Sequence, residues 1–321
     1  MSIFSALLLG LLVAVAYPPM RAPDRAVGHS VRVELVYQPI ALPSGDYRLP
    51  LAGAWRLSAS DPRLGGLSAL AVDHGRFLAV SDLGTVARFD PPSAKDPRVD
   101  LVDLEDGPGP IGFKDSRDAE SLAPDARGRG WWIGYEQRHS LWLYDADFRQ
   151  AAAIDLKRPR WSDNRGAEAL LADRQKLLVL HENGAEALAI GAAGIDQVEL
   201  FAGAGIAEAA RAPDGSAWLL LRSRGAGGID QWIAPLVRNG QVYRAGPRLE
   251  LPKAAWDNYE GMAITPRPGG GWRFWLVTDD GHRFMARTLL VAVDLLDSPR
   301  PRHYKSPVKI TGPSRNSAVE K

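Results

Sequence analysis

One short pattern recurs along the chain: an acidic residue followed by an apolar run and a turn. The four acidic copies are Asp118-Ala-Glu120-Ser-Leu-Ala, Arg165-Gly-Ala-Glu168-Ala-Leu-Leu, Ile206-Ala-Glu208-Ala-Ala and Asn258-Tyr-Glu260-Gly-Met-Ala-Ile. A fifth copy, Gly65-Gly-Leu-Ser68-Ala-Leu-Ala, carries serine in place of the acid. The copies lie roughly 40–50 residues apart, a period typical of β-propeller blades and other repeat arrays. Because equivalent blade positions face one central channel, the repeat predicts a ring of carboxylates.

Each repeat reads as three or four short strands separated by turn residues, which predicts an all-β propeller of five blades. The predicted fourth strands are Val99–Leu104, Ala151–Leu156, Gln197–Phe201 and Arg248–Leu251. The fifth unit has no evident fourth strand, whereas Gly53–Ser58 precedes the first unit without a partner. We therefore expect this N-terminal strand to complete the last blade and close the ring, because an open blade would expose an unpaired edge. The alternating segment Val31–Leu42 is either an extra outer strand or part of a sixth blade.

The ends of the chain differ in composition from the repeats. Residues 1–16 contain an apolar run that ends in Ala14-Val15-Ala16, the pattern of a secretory signal peptide or, if uncleaved, of a membrane anchor. We expect a linker at residues 17–30, the propeller at 31–296 and a disordered, Pro-rich tail at 297–321. The prediction is a monomer that is periplasmic or secreted, or membrane-anchored if the signal stays, without membrane insertion of the mature domain.

Charge and cysteine content exclude several classes of site. The 321-residue chain has a formal net charge of +1, which argues against nucleic-acid binding. It contains no cysteine, so disulfides, thiolate metal sites and a cysteine nucleophile are excluded. A serine nucleophile elbow is not evident, since Gly66-Leu67-Ser68 precedes a predicted strand where the elbow requires a helix. His181, beside Glu182 at a strand end, is either a catalytic or a structural histidine.

A second polar register follows the second strand of each unit, at Asp82, Glu136, Glu182, Arg222 and Asp279-Asp280. We therefore expect two sets of acidic residues to lie close together in the central channel. Carboxylates that are crowded in this way must protonate, pair with arginine or bind a cation. Oxygen ligands without cysteine suit a hard cation such as Ca²⁺. The alternative is a structural arginine–glutamate network that joins the blades.

These segments together resemble the phytase-like family known for the "esterase-like activity of phytase", over about residues 50–295. Its most specific part is Asp257-Asn-Tyr-Glu-Gly-Met-Ala263 with Leu276-Val-Thr-Asp-Asp280. The resemblance implies an exported β-propeller and, by the family's name, phosphoester or ester hydrolysis. Calcium-dependent propeller phytases place lysine and arginine beside their carboxylates, whereas lysine is nearly absent from the predicted channel of this chain.

Two functions remain open at the level of sequence. The first is a metal-assisted hydrolase of a small-molecule phosphoester or ester, and the second is a non-catalytic propeller that binds a ligand or an envelope partner. For the hydrolase, the predicted Ca²⁺ ligands are Glu120, Glu168, Glu260, Asp279, Asp280 and Asp82. The predicted substrate-binding residues are Arg117, Arg165, Arg222 and Tyr259. The predicted catalytic residues are Glu136, Glu182 and His181, with either glutamate as the general base.

Overall fold

The computed structural model describes residues 30–111, 113–156, 161–162, 166–173, 175–254, 256–282 and 286–296. The predicted signal peptide, the linker up to residue 29 and the tail from residue 297 lie outside the described residues, as does Arg165. Within the described ranges no helix has the length and apolarity needed to cross a membrane.

The described chain is all-β, apart from a one-turn helix α1 at Lys114–Arg117. Two strands come first, β1 at Val31–Pro39 and β2 at Leu51–Ala59. Four antiparallel strands form each of the next two units: β3 Leu67–Asp73, β4 Arg76–Ser81, β5 Thr85–Phe89 and β6 Arg98–Asp103, then β7 Ala119–Pro124, β8 Trp131–Tyr135, β9 Ser140–Tyr144 and β10 Gln150–Asp155.

Three further units follow the same up-and-down order. Their strands are β11 Ala167–Asp173, β12 Lys176–His181, β13 Glu186–Gly191 and β14 Gly194–Phe201; β15 Gly205–Arg211, β16 Ala217–Gly225, β17 Gly228–Asn239, β18 Val242–Ala245 and β19 Leu249–Glu250; and β20 Tyr259–Pro266, β21 Trp272–Thr278 and β22 Leu289–Leu295. Local turn chemistry explains the tight hairpins. For example, His74 and Gly75 between β3 and β4 both have positive φ, as a two-residue hairpin of matching twist requires.

The fourth unit departs from the prediction. Its fourth strand is expected at Arg248–Leu251, but there the structure has only the two-residue β19. β17 is instead a long strand of 12 residues, and β18 pairs with its last four residues. β18 also runs parallel to β14, so it links the fourth unit to the third.

The last unit is completed by the N-terminal strand. β2 pairs antiparallel with β22, as the unpaired Gly53–Ser58 segment predicts. β1 in turn pairs with both β2 and β6, so it is an outer strand that joins the last unit to the first. One continuous sheet therefore runs from β20 to β3, and neither β22 nor β6 is left with a free edge.

The first strands of the five units, β3, β7, β11, β15 and β20, contact one another in cyclic order, so they enclose a central channel. Buried apolar side chains form layers between successive units. Leu78 and Val80 of the first unit pack with Ile133 of the second, and Leu220 of the fourth packs with Phe274 of the fifth. The inner strands are therefore buried on both faces, and the channel is the place where polar groups from the units meet.

Candidate functional site

A β-bulge lies near the start of every first strand. In each of the five hairpins the register skips one residue of the first strand. The skipped residues are Ser68, Glu120, Glu168, Ala207 and Glu260. Bulges re-aim a side chain and are frequent beside active sites. The four polar members are all buried at the same end of the channel.

The bulges correct the predicted position of the acid in the fourth unit. Ala207, and not Glu208, occupies the position equivalent to Glu120, Glu168 and Glu260. Glu208 lies one residue deeper, where one carboxylate oxygen accepts a hydrogen bond from the backbone N–H of Ala209. Burial raises its pKa well above the usual value, so it does not add a charge to the ring.

The polar residues that follow the second strands lie at the same end of the channel. Residues Ser81, Tyr135, His181, Leu221 and Thr278 pair with the first-strand residue that precedes each bulge. The residues that follow them are Asp82, Glu136, Glu182, Arg222 and Asp279. The bulge residues and the residues after the second strands thus meet at one mouth of the channel. In the fourth unit, Arg222 occupies the position at which the other units have an acidic residue.

Arg222 neutralises one side of this mouth. Its buried guanidinium lies 2.5 Å from Glu168, 2.7 Å from Glu260 and 2.9 Å from Glu182. Although burial opposes its charge, these carboxylates raise the pKa of Arg222, which therefore stays charged. This side has the arginine–glutamate network that the structural alternative predicts.

Lys114 occupies the other side of the mouth and corrects the expectation that lysine is nearly absent there. Its Nζ lies 3.1 Å from Asp82 Oδ2, 3.1 Å from Asp118 Oδ1 and 3.8 Å from Glu120 Oε1. Helix α1 ends one residue before Asp118, and this turn positions the lysine. Burial opposes its charge, but the carboxylates raise its pKa, so Lys114 is a fixed cation. The four-residue spacing of Lys114 and Asp118 is the signal that could have revealed it.

Three carboxyl groups among the described residues come close enough together to share a metal ion. One oxygen from each of Asp118, Glu120 and Glu136 lies within 4.8 Å of the others, and all three residues are buried. Burial and the charge of Asp118 raise the pKa of Glu120 well above its usual value. Burial, together with Asp118 and Glu182, raises the pKa of Glu136 to about 8. Asp118 is absent from the ligands predicted above, although it is part of the repeat.

The donor set of this group suits a hard divalent cation. Oxygens bound to one Ca²⁺ at about 2.4 Å lie no more than about 5 Å apart, which the observed spacing allows. Lys114 supplies one positive charge to Asp82, Asp118 and Glu120, so this side keeps excess carboxylate. A cation would replace the protons that the raised pKa values of Glu120 and Glu136 indicate. Glu168 and Glu260 instead contact Arg222.

The aspartates after β21 lie at the edge of the mouth. Asp280 accepts hydrogen bonds from the backbone N–H groups of Gly66 and His282 and from the Thr288 hydroxyl, so it ties the first unit to the last. Asp279 accepts one from the N–H of Gly281. Burial, then the charges of Glu260 and Asp82, raises the pKa of Asp279.

Other predicted site residues contact the scaffold. Arg117 donates its hydrogen bonds to the carbonyl oxygens of Leu104, Glu105, Asp106 and Gly109, which fixes the segment before α1. The buried Tyr259 hydroxyl donates to the carbonyl of Pro252. His181 packs on Trp161 and accepts a hydrogen bond from the N–H of Asn183 through Nδ1. The structure thus gives these three side chains partners within the fold.

Comparisons with known proteins give one family and several distant folds. A model of the family described as "Phytase-like: Esterase-like activity of phytase" matches residues 62–282, more than half of the chain. No curated protein matches. Among solved structures, glutaminyl cyclase from Myxococcus xanthus has a TM-score of 0.45 at 14% identity, with 84% of this chain and 100% of that chain covered.

Two other solved structures show similar levels of likeness. The β-propeller domain of Cps50 (Swd1) from Myceliophteria thermophila has a TM-score of 0.41 at 9% identity, with 82% of this chain and 100% of that chain covered. Hydrazine synthase from Kuenenia stuttgartiensis has a TM-score of 0.38 at 13% identity, with 67% of this chain covered; the present chain spans only 56% of that one.

Proposed function

Because the chain belongs to the phytase-like family, we propose that it is an exported, monomeric, five-bladed β-propeller that hydrolyses a small phosphoester or related ester with the help of Ca²⁺. The reaction takes place at the channel mouth. Five blades are supported by the closed cycle of first strands and by the completion of the last unit with β2. β1 then counts as an outer strand and not as a sixth blade.

The observation that carries the proposal is the juxtaposition of a buried three-carboxylate group with a fixed lysine. Asp118, Glu120 and Glu136 would hold the cation, and Lys114 lies 3.1 Å from Asp118. A lysine next to a metal site suits the binding of an anionic phosphoryl group, because the carboxylate ligands already offset the charge of the metal ion. An inert scaffold network would not need such an excess of carboxylates on one side.

The chemistry divides between the ion and the chain. Ca²⁺ held by Asp118, Glu120 and Glu136 would act as a Lewis acid toward a phosphoryl oxygen and would make the attacking water more acidic. Lys114 and Arg222 provide positive charge on opposite sides of the mouth, where they bind and orient phosphoryl oxygens. Glu182, the most exposed carboxylate bound to Arg222, accepts the proton of the attacking water. Glu136 is then a metal ligand and not the base.

The test measures phosphate release from p-nitrophenyl phosphate and phytate, and hydrolysis of short acyl esters, with Ca²⁺ or with chelator. We expect Ca²⁺-dependent turnover that falls by at least about 100-fold in Asp118→Asn/Glu136→Gln, in line with loss of electrostatic stabilisation of the transition state. Asp147→Asn, an exposed carboxylate on a hairpin, is the matched control and keeps full activity.

Two results would overturn the proposal. Turnover that is unchanged by chelator and by the double variant would place any chemistry elsewhere. Saturable Ca²⁺ binding without turnover on any of these substrates would contradict the hydrolase and favour the cation- or ligand-binding propeller that the sequence leaves open.

A further inference from the structure

A second pair of metal-binding atoms lies at the edge of the mouth, where the last unit meets the first. Asp82 follows β4, and His282 lies in the segment between β21 and β22. The His282 Nε2 atom is 3.5 Å from Asp82 Oδ1. Both atoms are buried, and neither has a hydrogen-bond partner among the described residues.

The backbone around this pair is arranged to let the two side chains approach. His282 has a φ of 51°, a conformation that costs a non-glycine residue energy and that is enriched at functional sites. Gly66 has a φ of 56°, and a Cβ there would lie 2.3 Å from Asp82 Oδ1 and 2.7 Å from His282 Nε2. Gly66 therefore keeps open the space in front of both atoms.

The separation of the two atoms suits a shared metal ion better than a direct contact. A charge-assisted N–H···O bond is about 2.7–2.9 Å long, so at 3.5 Å the two atoms are within ion-pair range when His282 is protonated but are too far apart for such a hydrogen bond. In a tetrahedral site with bonds of about 2.1 Å, two ligand atoms lie about 3.4 Å apart. Buried polar atoms that lack partners carry a cost, which a bound ion would remove.

We propose that Asp82 and His282 form a second cation site, which binds a divalent transition metal such as Zn²⁺. An imidazole nitrogen suits Zn²⁺ and related ions, whereas Ca²⁺ takes oxygen ligands. Asp82 can contact Lys114 and bind a metal ion at the same time, because Lys114 contacts its Oδ2 atom and the Oδ1 atom faces His282. Two protein ligands leave coordination positions for water or an anionic ligand, and the inference does not depend on the proposed hydrolysis.

The experiment titrates Zn²⁺ into metal-free protein by calorimetry in millimolar Ca²⁺, which occupies oxygen-only sites first. His282→Asn removes Nε2 but keeps a residue that tolerates positive φ. His74→Asn is the matched control, because His74 has a φ of 49° and its side chain is 94% exposed on the β3–β4 hairpin. We expect one Zn²⁺ equivalent in the wild type and in the control, and affinity at least about tenfold weaker in His282→Asn.

A second readout uses Co²⁺, whose visible absorption reports nitrogen and oxygen ligation directly. The proposal expects a band that appears in the wild type and in His74→Asn and disappears in His282→Asn, with circular dichroism showing that all three proteins are folded. No Zn²⁺ binding to the wild type, or equal affinity in His282→Asn, would overturn it. Loss of Ca²⁺ binding in Asp118→Asn/Glu136→Gln with Zn²⁺ binding retained would separate the two sites.

Discussion

At the residue scale, one side of the channel mouth depends on Arg222 for its charge balance. Arg222 contacts three glutamates and is itself 7% exposed. Removing one partner of a buried ionic group is costly because the remaining charges stay out of water without compensation. Burial already raises the pKa of Glu168 well above its usual value, and without Arg222 this carboxyl would take up a proton in the folded state.

We therefore predict that Arg222→Met lowers the free energy of unfolding by about 3–5 kcal/mol at pH 8. The loss is smaller at pH 5. Without the arginine, Glu168 has a folded-state pKa raised further above that of the unfolded chain, so its contribution is favourable at low pH and is lost as pH rises. Urea unfolding at both pH values measures the effect, with the exposed Arg224→Met on the same strand as control. An equal loss at pH 5 and pH 8 would contradict this account.

The carboxyl of Glu136 gives a second prediction, for the metal-free protein. Its folded-state pKa of about 8 exceeds the unfolded value, so the folded state binds more protons between about pH 4.5 and pH 8. Stability is therefore lost as pH rises through this window, with a slope of at most about 1.4 kcal/mol per pH unit from one group. Glu136→Gln, which resembles the protonated acid, should flatten the fall in unfolding free energy between pH 5 and pH 8. If the unfolding free energy of Glu136→Gln depends on pH in the same way as that of the wild type, the raised pKa of Glu136 is disproved.

Part of this site can be identified from the sequence, because the residue pattern at the start of each first strand recurs. Glu120, Glu168 and Glu260 are predicted, since each follows the same turn and precedes the same apolar run. Glu208 is displaced by one position, because a bulge changes which side chain faces the channel and leaves no mark in the residue pattern. Lys114 and His282 are missed, because their positions depend on a single helical turn and on a loop brought in from the last unit.

At the element scale, β2 is the strand that closes the molecule. It lies between β22 and β1, and Leu57 packs with residues of the first and last units in one buried cluster. The leftover strand is predictable from sequence because an open last unit needs a partner. The division of the fourth unit's outer strand into β18 and β19 is not predictable, because it follows from the pairing of β18 with β14.

Closure by β2 predicts unequal effects of two identical substitutions on this strand. Leu57 is 4% exposed and Leu51 is 39% exposed. Leu57→Ala should cost about 2–4 kcal/mol of unfolding free energy, because it removes buried methyl groups and leaves a cavity between the units. Leu51→Ala should cost less than about 1 kcal/mol. Equal losses of unfolding free energy in the two variants, measured by denaturant unfolding, would show that packing of β2 between the first and last units does not stabilise the protein.

At the scale of the whole molecule, the closed cycle of first strands concentrates acids from several units at one mouth. Layers of apolar side chains hold the units together. The polar residues at the bulges are therefore not needed for packing between the units and can bind a ligand. Arg222 neutralises one side, whereas the side of Asp118, Glu120 and Glu136 has more carboxyl groups than Lys114 alone can balance, and the pKa values of Glu120 and Glu136 are raised. The central claim is that this second side holds a divalent cation.

Calorimetric titration of Ca²⁺ into the metal-free protein tests that claim most directly. We predict saturable binding in the wild type and in Asp147→Asn, with proton release at pH 7 because Glu120 and Glu136 must ionise to bind the ion. Asp118→Asn/Glu136→Gln should show no saturable heat. Absence of binding to the wild type, or the same isotherm in the double variant, would contradict the account.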